Sequence, residues 1–355
     1  MRRKRTICWE ATAPVRVDLA GGTIDIYPLE VFAAPALTVN AALSLFAKVR
    51  LTLHRSPAVR VLAKDPGLCA VFPSAEKIPK ENPVPLVAAI ARHHLAPPSR
   101  RIGEARRRGA DIEIGSEAPR GAGLGGSSAL GIALHAAFCR ALHAGGGPRR
   151  IGKNLVREAQ TVECHVIGAP TGVQDYYPAL YGGAQALWYR GGAVEREPLP
   201  HDGLSFLESA LVLAYTGQSR LSASVNWRIF KAAFEGRLKV RGRLQAIGEA
   251  ALRTREAILE RSVKRLARAM AMEWEARRRL ARGIETERMR RLIFLAKESG
   301  ALAAKACGAG GGGCVVFVIP EGRGRRELVE RALSQAGARV LPVRLARRGL
   351  RVRTD

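Results

Sequence analysis

Four glycines within six positions give the chain a segment whose composition indicates ligand binding. Residues 119–130 read Pro-Arg-Gly-Ala-Gly-Leu-Gly-Gly-Ser-Ser-Ala-Leu. So many glycines leave the loop with few side chains, and its backbone N–H groups can therefore close on an anion. Residues 110–114 before the loop alternate like a strand, and the residues after it have helical spacing. Unpaired N–H groups and the helix dipole favour a phosphate at such a helix N-terminus.

Two other phosphate-binding patterns are present only in part. Residues 121–126 also satisfy the Gly-x-Gly-x-x-Gly pattern of dinucleotide-binding folds, which requires an acidic residue at the end of a second strand. Here the first acidic residue past the loop is Glu158, inside a predicted helix. Residues 147–153 nearly match the Walker loop, but Asn154 stands where a Ser or Thr hydroxyl reaches magnesium. Neither pattern is therefore favoured.

Three further motifs accompany this loop in a fixed order. Residues 13–25 read APVRVDLAGGTID, residues 168–175 read GAPTGVQD, and residues 305–313 read KACGAGGGG. With residues 119–130, these motifs resemble those of the GHMP kinases, the family of galactokinase, homoserine kinase and mevalonate kinase. The resemblance extends over about residues 10–320. It implies a small-molecule kinase that uses ATP and Mg²⁺.

One branch of the family is especially similar. The Arg-Val-Asp-Leu-Ala-Gly-Gly-x-x-Asp form of residues 16–25, the Gln-Asp pair at 174–175 and residues 215–220 resemble fucokinases and D-glycero-D-manno-heptose 7-phosphate kinases. Those enzymes phosphorylate an anomeric hydroxyl. Thr23 and Ile24 depart from them, since a Trp or Gly and then a Thr or Ser usually stand on this sugar side of the loop. The resemblance thus implies the reaction and leaves the sugar open.

The resemblance also implies a binding site for Mg²⁺-ATP. The residues that it assigns to the ATP phosphates are Gly121, Ala122, Gly123, Leu124, Gly125, Gly126, Ser127 and Ser128. Ser127 and Glu163 match the family's magnesium ligands, and Mg²⁺ prefers a few protein oxygens together with phosphate and water. On the residues alone, both serines could be helix N-caps and Glu163 an exposed helix residue.

The catalytic and acceptor residues follow from the same resemblance. Asp175 matches the general base that accepts the proton of the attacking hydroxyl, although it could also cap the following helix. Arg16 matches the cation beside the nucleophile, where positive charge favours an ionised hydroxyl, and its alternative is a surface arginine. The residues expected to bind the acceptor are Asp25, Gly21, Gly22, Gln174, Gly310, Gly311 and Arg220.

Composition favours a cytoplasmic soluble protein. The chain has 355 residues, a length that suits two domains of ordinary size. No segment approaches the ~20 apolar residues of a membrane helix, and the basic residues 2–5 precede no apolar signal region. Six scattered cysteines without a Cys-x-x-Cys pair argue against a zinc module or a disulfide framework and suit a reducing compartment.

The net charge of +27 raises the question of a nucleic-acid partner. The excess arginines are densest between residues 237 and 291, where they are interleaved with glutamates. Aromatic residues form only 5% of the chain, too few for a base-stacking platform. We therefore expect solvated helix faces and an anionic small-molecule substrate, with polyanion binding as the alternative.

Residue spacing predicts strands and helices in mixed order. Strands are expected at residues 6–19, 36–53, 110–114, 184–189, 210–215, 314–319 and 339–345. Besides the helix that begins at Ser127, helices are expected at residues 83–95, 151–167, 222–235, 243–272, 284–299 and 325–336. The order favours an α+β fold over a doubly wound sheet. A boundary near residue 200 divides the chain into domains 1–200 and 201–355, and the resemblance implies an active site in the cleft between them.

The function expected from the sequence is ATP-dependent phosphorylation of a sugar or sugar phosphate at the anomeric hydroxyl, in a chain that could form a homodimer. Two alternatives stay open at this point. One is a kinase of another small alcohol, such as homoserine or mevalonate. The other is a protein that binds a sugar or a nucleotide without catalysis.

Overall fold

The computed structural model describes residues 7–65, 67–96, 108–142, 153–218 and 223–355. The strands are β1 (Cys8–Ala20), β2 (Leu37–His54), β3 (Val59–Ala63), β4 (Leu68–Phe72), β5 (Gly109–Ser116), β6 (Ala184–Arg190), β7 (Ala193–Pro198), β8 (Leu211–Tyr215), β9 (Ala303–Ala306), β10 (Cys314–Val318), β11 (Arg339–Leu341) and β12 (Arg351–Thr354). The α-helices are α1 (Pro85–Leu95), α2 (Gly126–Leu142), α3 (Lys153–Ile167), α4 (Tyr176–Tyr181), α5 (His201–Ala210), α6 (Ala223–Phe234), α7 (Leu238–Leu259), α8 (Val263–Arg277), α9 (Glu287–Glu298) and α10 (Arg325–Gln335). The expected α+β class is confirmed.

The larger sheet is built around the long antiparallel pair β1 and β2. Its order is β12-β1-β2-β5-β3-β4, and β6 with β7 extends it beside the first half of β2. The register of β1 against β2 shifts between Pro14 and Arg16 and again between Asp18 and Ala20. Such bulges turn individual side chains away from the regular alternation. Here they flank Arg16 and Asp18, two residues of the site described below.

Helix α2 is buried on almost every side, because it packs between this sheet and helices α1, α3 and α4. A helix that is apolar all round requires such surroundings. The wholly buried Ile132, Leu134 and Phe138 hold α2 in the core. The glycine loop that leads into α2 is therefore attached to a fixed element of the fold.

The smaller sheet has the order β11-β8-β10-β9, with every pair antiparallel. Helices α7 and α8 form a hairpin in which α8 packs on β9 and β10, whereas α7 packs on α8 and on β1 and β2 of the larger sheet. The expected single helix over residues 243–272 is therefore wrong. The chain reverses at Arg261, whose φ of +52° is incompatible with a continuing helix. Ser262 then caps α8 by accepting a hydrogen bond from the N–H of Arg265. The apolar residues keep helical spacing on both sides of the reversal, so the sequence pattern did not reveal it.

The N-terminal and C-terminal halves of the chain are joined by a returning strand and by a backbone hydrogen bond. Strand β12 returns from the C-terminal half and pairs with β1, and the N–H of Cys314 donates to the carbonyl of Ala122 at 2.7 Å. The division into domains 1–200 and 201–355 stays a prediction. Within the described ranges, no helix combines the length and the apolar run needed to cross a bilayer.

Candidate active site

The glycine loop between β5 and α2 has a backbone that only glycine adopts easily. Gly121, Gly123 and Gly125 have φ values of +69°, +70° and +71°. The loop also approaches the second glycine cluster so closely that side chains would collide. A Cβ on Gly313 would lie 2.7 Å from the carbonyl oxygen of Ala122. The two predicted glycine motifs, almost 200 residues apart, thus form one surface.

Arg16 and Asp175 form an ion pair beside this loop. Nε and Nη2 of Arg16 both lie 2.7 Å from Oδ1 of Asp175. Nη1 of Arg16 donates to the carbonyls of Gly123 at 2.7 Å and Cys307 at 2.9 Å. Arg16 is buried, whereas the Asp175 side chain is 23% exposed. The carboxylate can therefore meet a bound molecule while the guanidinium fixes its orientation.

Electrostatics keep Arg16 charged. Burial by itself lowers the pKa of Arg16, but the charges of Asp175 and Asp18 outweigh it and raise that pKa above its ordinary value. The carboxylate also lies against the glycine loop, since a Cβ on Gly125 would lie 3.1 Å from Asp175. A proton acceptor and a fixed cation thus stand next to the predicted phosphate position.

An acidic residue of α3, Glu163, lies next to the first turn of α2, as the magnesium prediction requires. Oγ of Ser128 donates to Oε2 of Glu163 at 3.1 Å, and the hydroxyl of Tyr176 donates to the same oxygen at 2.5 Å. Burial raises the pKa of Glu163, and hydrogen bonds from Tyr176 and Ser127 oppose that rise. Ser127 itself is exposed on the loop side. Hydroxyl and carboxylate oxygens of this kind fit Mg²⁺.

Asp25 occupies the predicted acceptor side and is buried. Its Oδ2 accepts the backbone N–H of Gln174 at 3.0 Å, and a Cβ on Gly172 would overlap the same carboxylate. Burial raises the pKa of Asp25 to about 7, and the charges of Asp175 and Asp18 add to the rise. A ligand hydroxyl that donates to this carboxylate would favour its ionised form.

The loop around Asp25 is held in an unusual conformation. Thr23 has a φ of +79°, a region that β-branched residues rarely enter and that costs about 1–3 kcal/mol. Arg277 holds it there by donating to Oγ1 of Thr23 at 3.1 Å and to the carbonyl of Gly22 at 2.6 Å. Ile24 lies wholly buried in the core, and Gly21 has a φ of +91°. Of the two residues that depart from the sugar-kinase pattern, only Thr23 is held by a polar side chain.

A buried ion network behind this loop escaped the sequence interpretation. It consists of Asp18 on β1, Glu273 and Arg277 on α8 and Lys305 on β9, each side chain at most 2% exposed. Lys305 Nζ lies 3.1 Å from Asp18 and 3.4 Å from Glu273, while Arg277 Nη2 lies 2.6 Å from Glu273. Two cations thus balance two carboxylates, as buried charges require. The spacing Glu273-x-x-x-Arg277 was a signal, but such pairs usually lie on solvated helix faces.

The remaining residues predicted to bind the acceptor substrate do not all lie at the site. The backbone of Gly310 and Gly311 lies against Ile284, because the N–H of Gly311 donates to the Ile284 carbonyl at 2.7 Å. Within that cluster, Gly308 is the residue that faces Gly123. Arg220 lies outside the described residues. The structure therefore brings Arg16, Asp25, Gln174 and Asp175 together, with the glycine loop beside them.

Comparison with known proteins identifies the family that this chain matches. Family models described as the GHMP kinases N terminal domain and GHMP kinases C terminal match residues 86–183 and 254–339. A mevalonate kinase of Pyrococcus horikoshii is 30% identical over 96% of this chain and 97% of its own length. A D-glycero-alpha-D-manno-heptose 7-phosphate kinase of Campylobacter jejuni is 25% identical over 86% and 88%. A crystal structure described as a D-glycero-D-manno-heptose 1-phosphate kinase from Bacteriodes thetaiotaomicron superposes with a TM-score of 0.73 at 25% identity, over 97% of this chain and 98% of that one.

Proposed function

Because the chain belongs to the GHMP kinase family, we propose that it transfers the γ-phosphoryl group of ATP to a hydroxyl of a small sugar or sugar phosphate. The observation that carries the proposal is the Arg16–Asp175 pair beside the glycine loop. Phosphoryl transfer proceeds through a loose transition state, so catalysis depends on positioning and on charge. The site offers both within one cleft.

In this proposal, Asp175 accepts the proton of the attacking hydroxyl. Arg16 holds the carboxylate by two nitrogens and adds positive charge next to the phosphoryl group. The N–H groups of residues 121–126 bind the nucleotide phosphates, because side chains there are few. Ser127, Ser128 and Glu163 would hold Mg²⁺, which offsets phosphate charge when it is bound.

The acceptor is proposed to be a polyol phosphorylated at its anomeric hydroxyl. Asp25 supports this assignment, since a buried carboxylate can accept hydrogen bonds from two neighbouring hydroxyls. Gln174, Gly21 and Gly22 would complete that side of the cleft. The 25% identity to the heptose 7-phosphate kinase supports the same substrate class.

A mevalonate-like acceptor is the second candidate, favoured by the 30% identity to the Pyrococcus mevalonate kinase. Mevalonate carries a carboxylate, which Asp25 and Asp175 would repel unless a cation compensates. The buried cations nearby among the described residues are Arg16, which is paired with Asp175, and Arg277 and Lys305, which are paired with Asp18 and Glu273. Next to Asp25, the charge balance of the described residues therefore favours neutral hydroxyls, which a sugar and a sugar phosphate both offer, over a carboxylate.

The test is ADP release with Mg²⁺-ATP over a panel of heptose 7-phosphate, fucose, galactose, mevalonate and homoserine. We expect turnover with a sugar or sugar phosphate, and a 1-phosphate product identified by ³¹P NMR. Turnover with mevalonate alone would establish the second candidate. Nucleotide binding without turnover of any acceptor would refute the kinase proposal and establish the non-catalytic alternative.

A further inference from the structure

Three histidines that the proposed reaction does not use lie together on two helices. His93 and His94 belong to the last turn of α1, and His135 lies in the second half of α2. One possible ligand atom from each residue lies within 4.8 Å of the other two. The ring centroids are 5.0–5.6 Å apart. His135 follows Ser128 by seven residues, which places it about 10 Å along α2 from the phosphate loop.

The fold holds two of these rings in fixed positions. Nε2 of His94 lies 2.9 Å from Nδ1 of His135, and the ring of Phe138 stacks on His94 at 4.9 Å. His135 is fully buried, and its Nε2 has no hydrogen-bond partner in the part of the chain that the structure describes. Imidazole nitrogens are the commonest metal ligands, and here two of them already face each other in fixed positions.

The spacing of the two nitrogens is close to that of two ligands on one metal ion. Bonds of about 2.0–2.1 Å in tetrahedral geometry separate two nitrogens by about 3.3 Å. The observed 2.9 Å between His94 and His135 therefore requires a movement of less than an ångström. His93 is exposed and supplies the third ring from the solvent side.

The surroundings favour a cation of a particular class. The last carbonyls of α1 carry partial negative charge, which stabilises a positive ion at His93 and His94. Imidazole suits zinc, nickel and copper, whereas magnesium and calcium prefer oxygen ligands. Three imidazole ligands leave a fourth position for water.

We propose that His93, His94 and His135 bind one divalent transition-metal ion of the zinc class. The ion joins the end of α1 to α2, the helix that carries the phosphate loop at its N-terminus. This site is separate from the proposed magnesium position at Ser128 and Glu163, and it does not depend on the identity of the kinase substrate.

The test uses the full chain without a polyhistidine tag, stripped with EDTA and dialysed. Titration with Zn²⁺ by calorimetry, and with Co²⁺ by visible absorption, measures affinity and stoichiometry. We expect one ion per chain in the wild type. H93A removes an exposed ligand without opening the core, and we expect it to bind Zn²⁺ at least about 100-fold more weakly. H201A, which removes an exposed histidine from the start of α5, is the matched control.

Thermal unfolding supplies a second measurement. Zn²⁺ should raise the unfolding temperature of the wild type and of H201A, and raise that of H93A much less at the same Zn²⁺ concentration, because the two remaining ligands bind the ion more weakly. Failure of the wild type to bind Zn²⁺ at micromolar concentrations would overturn the proposal, as would equal Zn²⁺ affinity of H93A and the wild type. In either case the three rings would be a packed histidine cluster only.

Discussion

Replacement of Asp175 by asparagine tests the proposed base at nearly constant shape. The amide keeps an oxygen that can accept from Arg16 but cannot accept the proton of the attacking hydroxyl. Loss of general base catalysis lowers turnover by about 10²–10⁴-fold. At ~1.36 kcal/mol for each factor of ten, the transition state loses about 2.7–5.4 kcal/mol. The KM for ATP should change little, because the glycine loop is untouched.

The same substitution should lower the free energy of unfolding by less than it raises the activation free energy, and the two effects can be measured separately. Breaking a buried ion pair costs about 3–5 kcal/mol. Here Asp175 is partly exposed and Arg16 keeps its two carbonyl acceptors, so we expect the free energy of unfolding to fall by about 1–2 kcal/mol. Urea unfolding measures this cost, and ADP release measures kcat.

Asp111→Asn is the matched control, since it removes an exposed carboxylate that pairs with Arg60 at 3.2 Å. We expect its turnover and its unfolding midpoint to equal those of the wild type. Near-normal kcat in folded D175N would refute the assignment of Asp175. If D175N loses activity because it is unfolded, Asp175 has only a structural role. Urea unfolding distinguishes that outcome from a loss of kcat in a folded variant.

Three further predictions concern neighbouring groups. The pKa of Asp25 is raised to about 7, so the free energy of unfolding falls as pH rises from about 4 to 7 and the buried carboxylate becomes charged. In urea unfolding, the free energy of unfolding of D25N should exceed that of the wild type by up to about 4 kcal/mol at pH 8 and equal it at pH 4. D25N should also bind the acceptor more weakly. E163Q should raise the Mg²⁺ concentration for half-maximal activity about tenfold or more, and unchanged Mg²⁺ dependence would contradict the ligand assignment. G125A should lower kcat, because its Cβ would displace Asp175, whereas G67A, with a similar φ of +77° but open surroundings, should show only a small loss of stability and normal kcat.

The sequence allowed prediction of the parts of the site that depend on local backbone chemistry. Glycines with positive φ at 121, 123 and 125 lie where the loop was expected, and β1 and β2 begin and end within a few residues of the predicted strands. The family resemblance gave Arg16 and Asp175 separate catalytic roles, and the structure places them in contact. The two residues are 159 positions apart in the sequence, so no local sequence pattern predicts their contact.

The other features of the site and fold depend on how segments distant in the sequence pack together. Residue spacing carries no information about that packing. Glu273 and Arg277 have the pattern of a surface helix pair, yet they are buried because β1 and β9 bring Asp18 and Lys305 against them. The reversal at Arg261 was concealed for a related reason, since the helical spacing of α7 and α8 runs on through it.

The pairing of β12 with β1 has a consequence for synthesis of the protein on the ribosome. Strand β1 is made long before its neighbour β12, so one of its edges stays uncovered until residues 351–354 arrive. An unpaired strand edge invites pairing with other chains. The larger sheet therefore cannot be completed until strands β8–β11 of the smaller sheet have been made, and this order couples the folding of the two sheets.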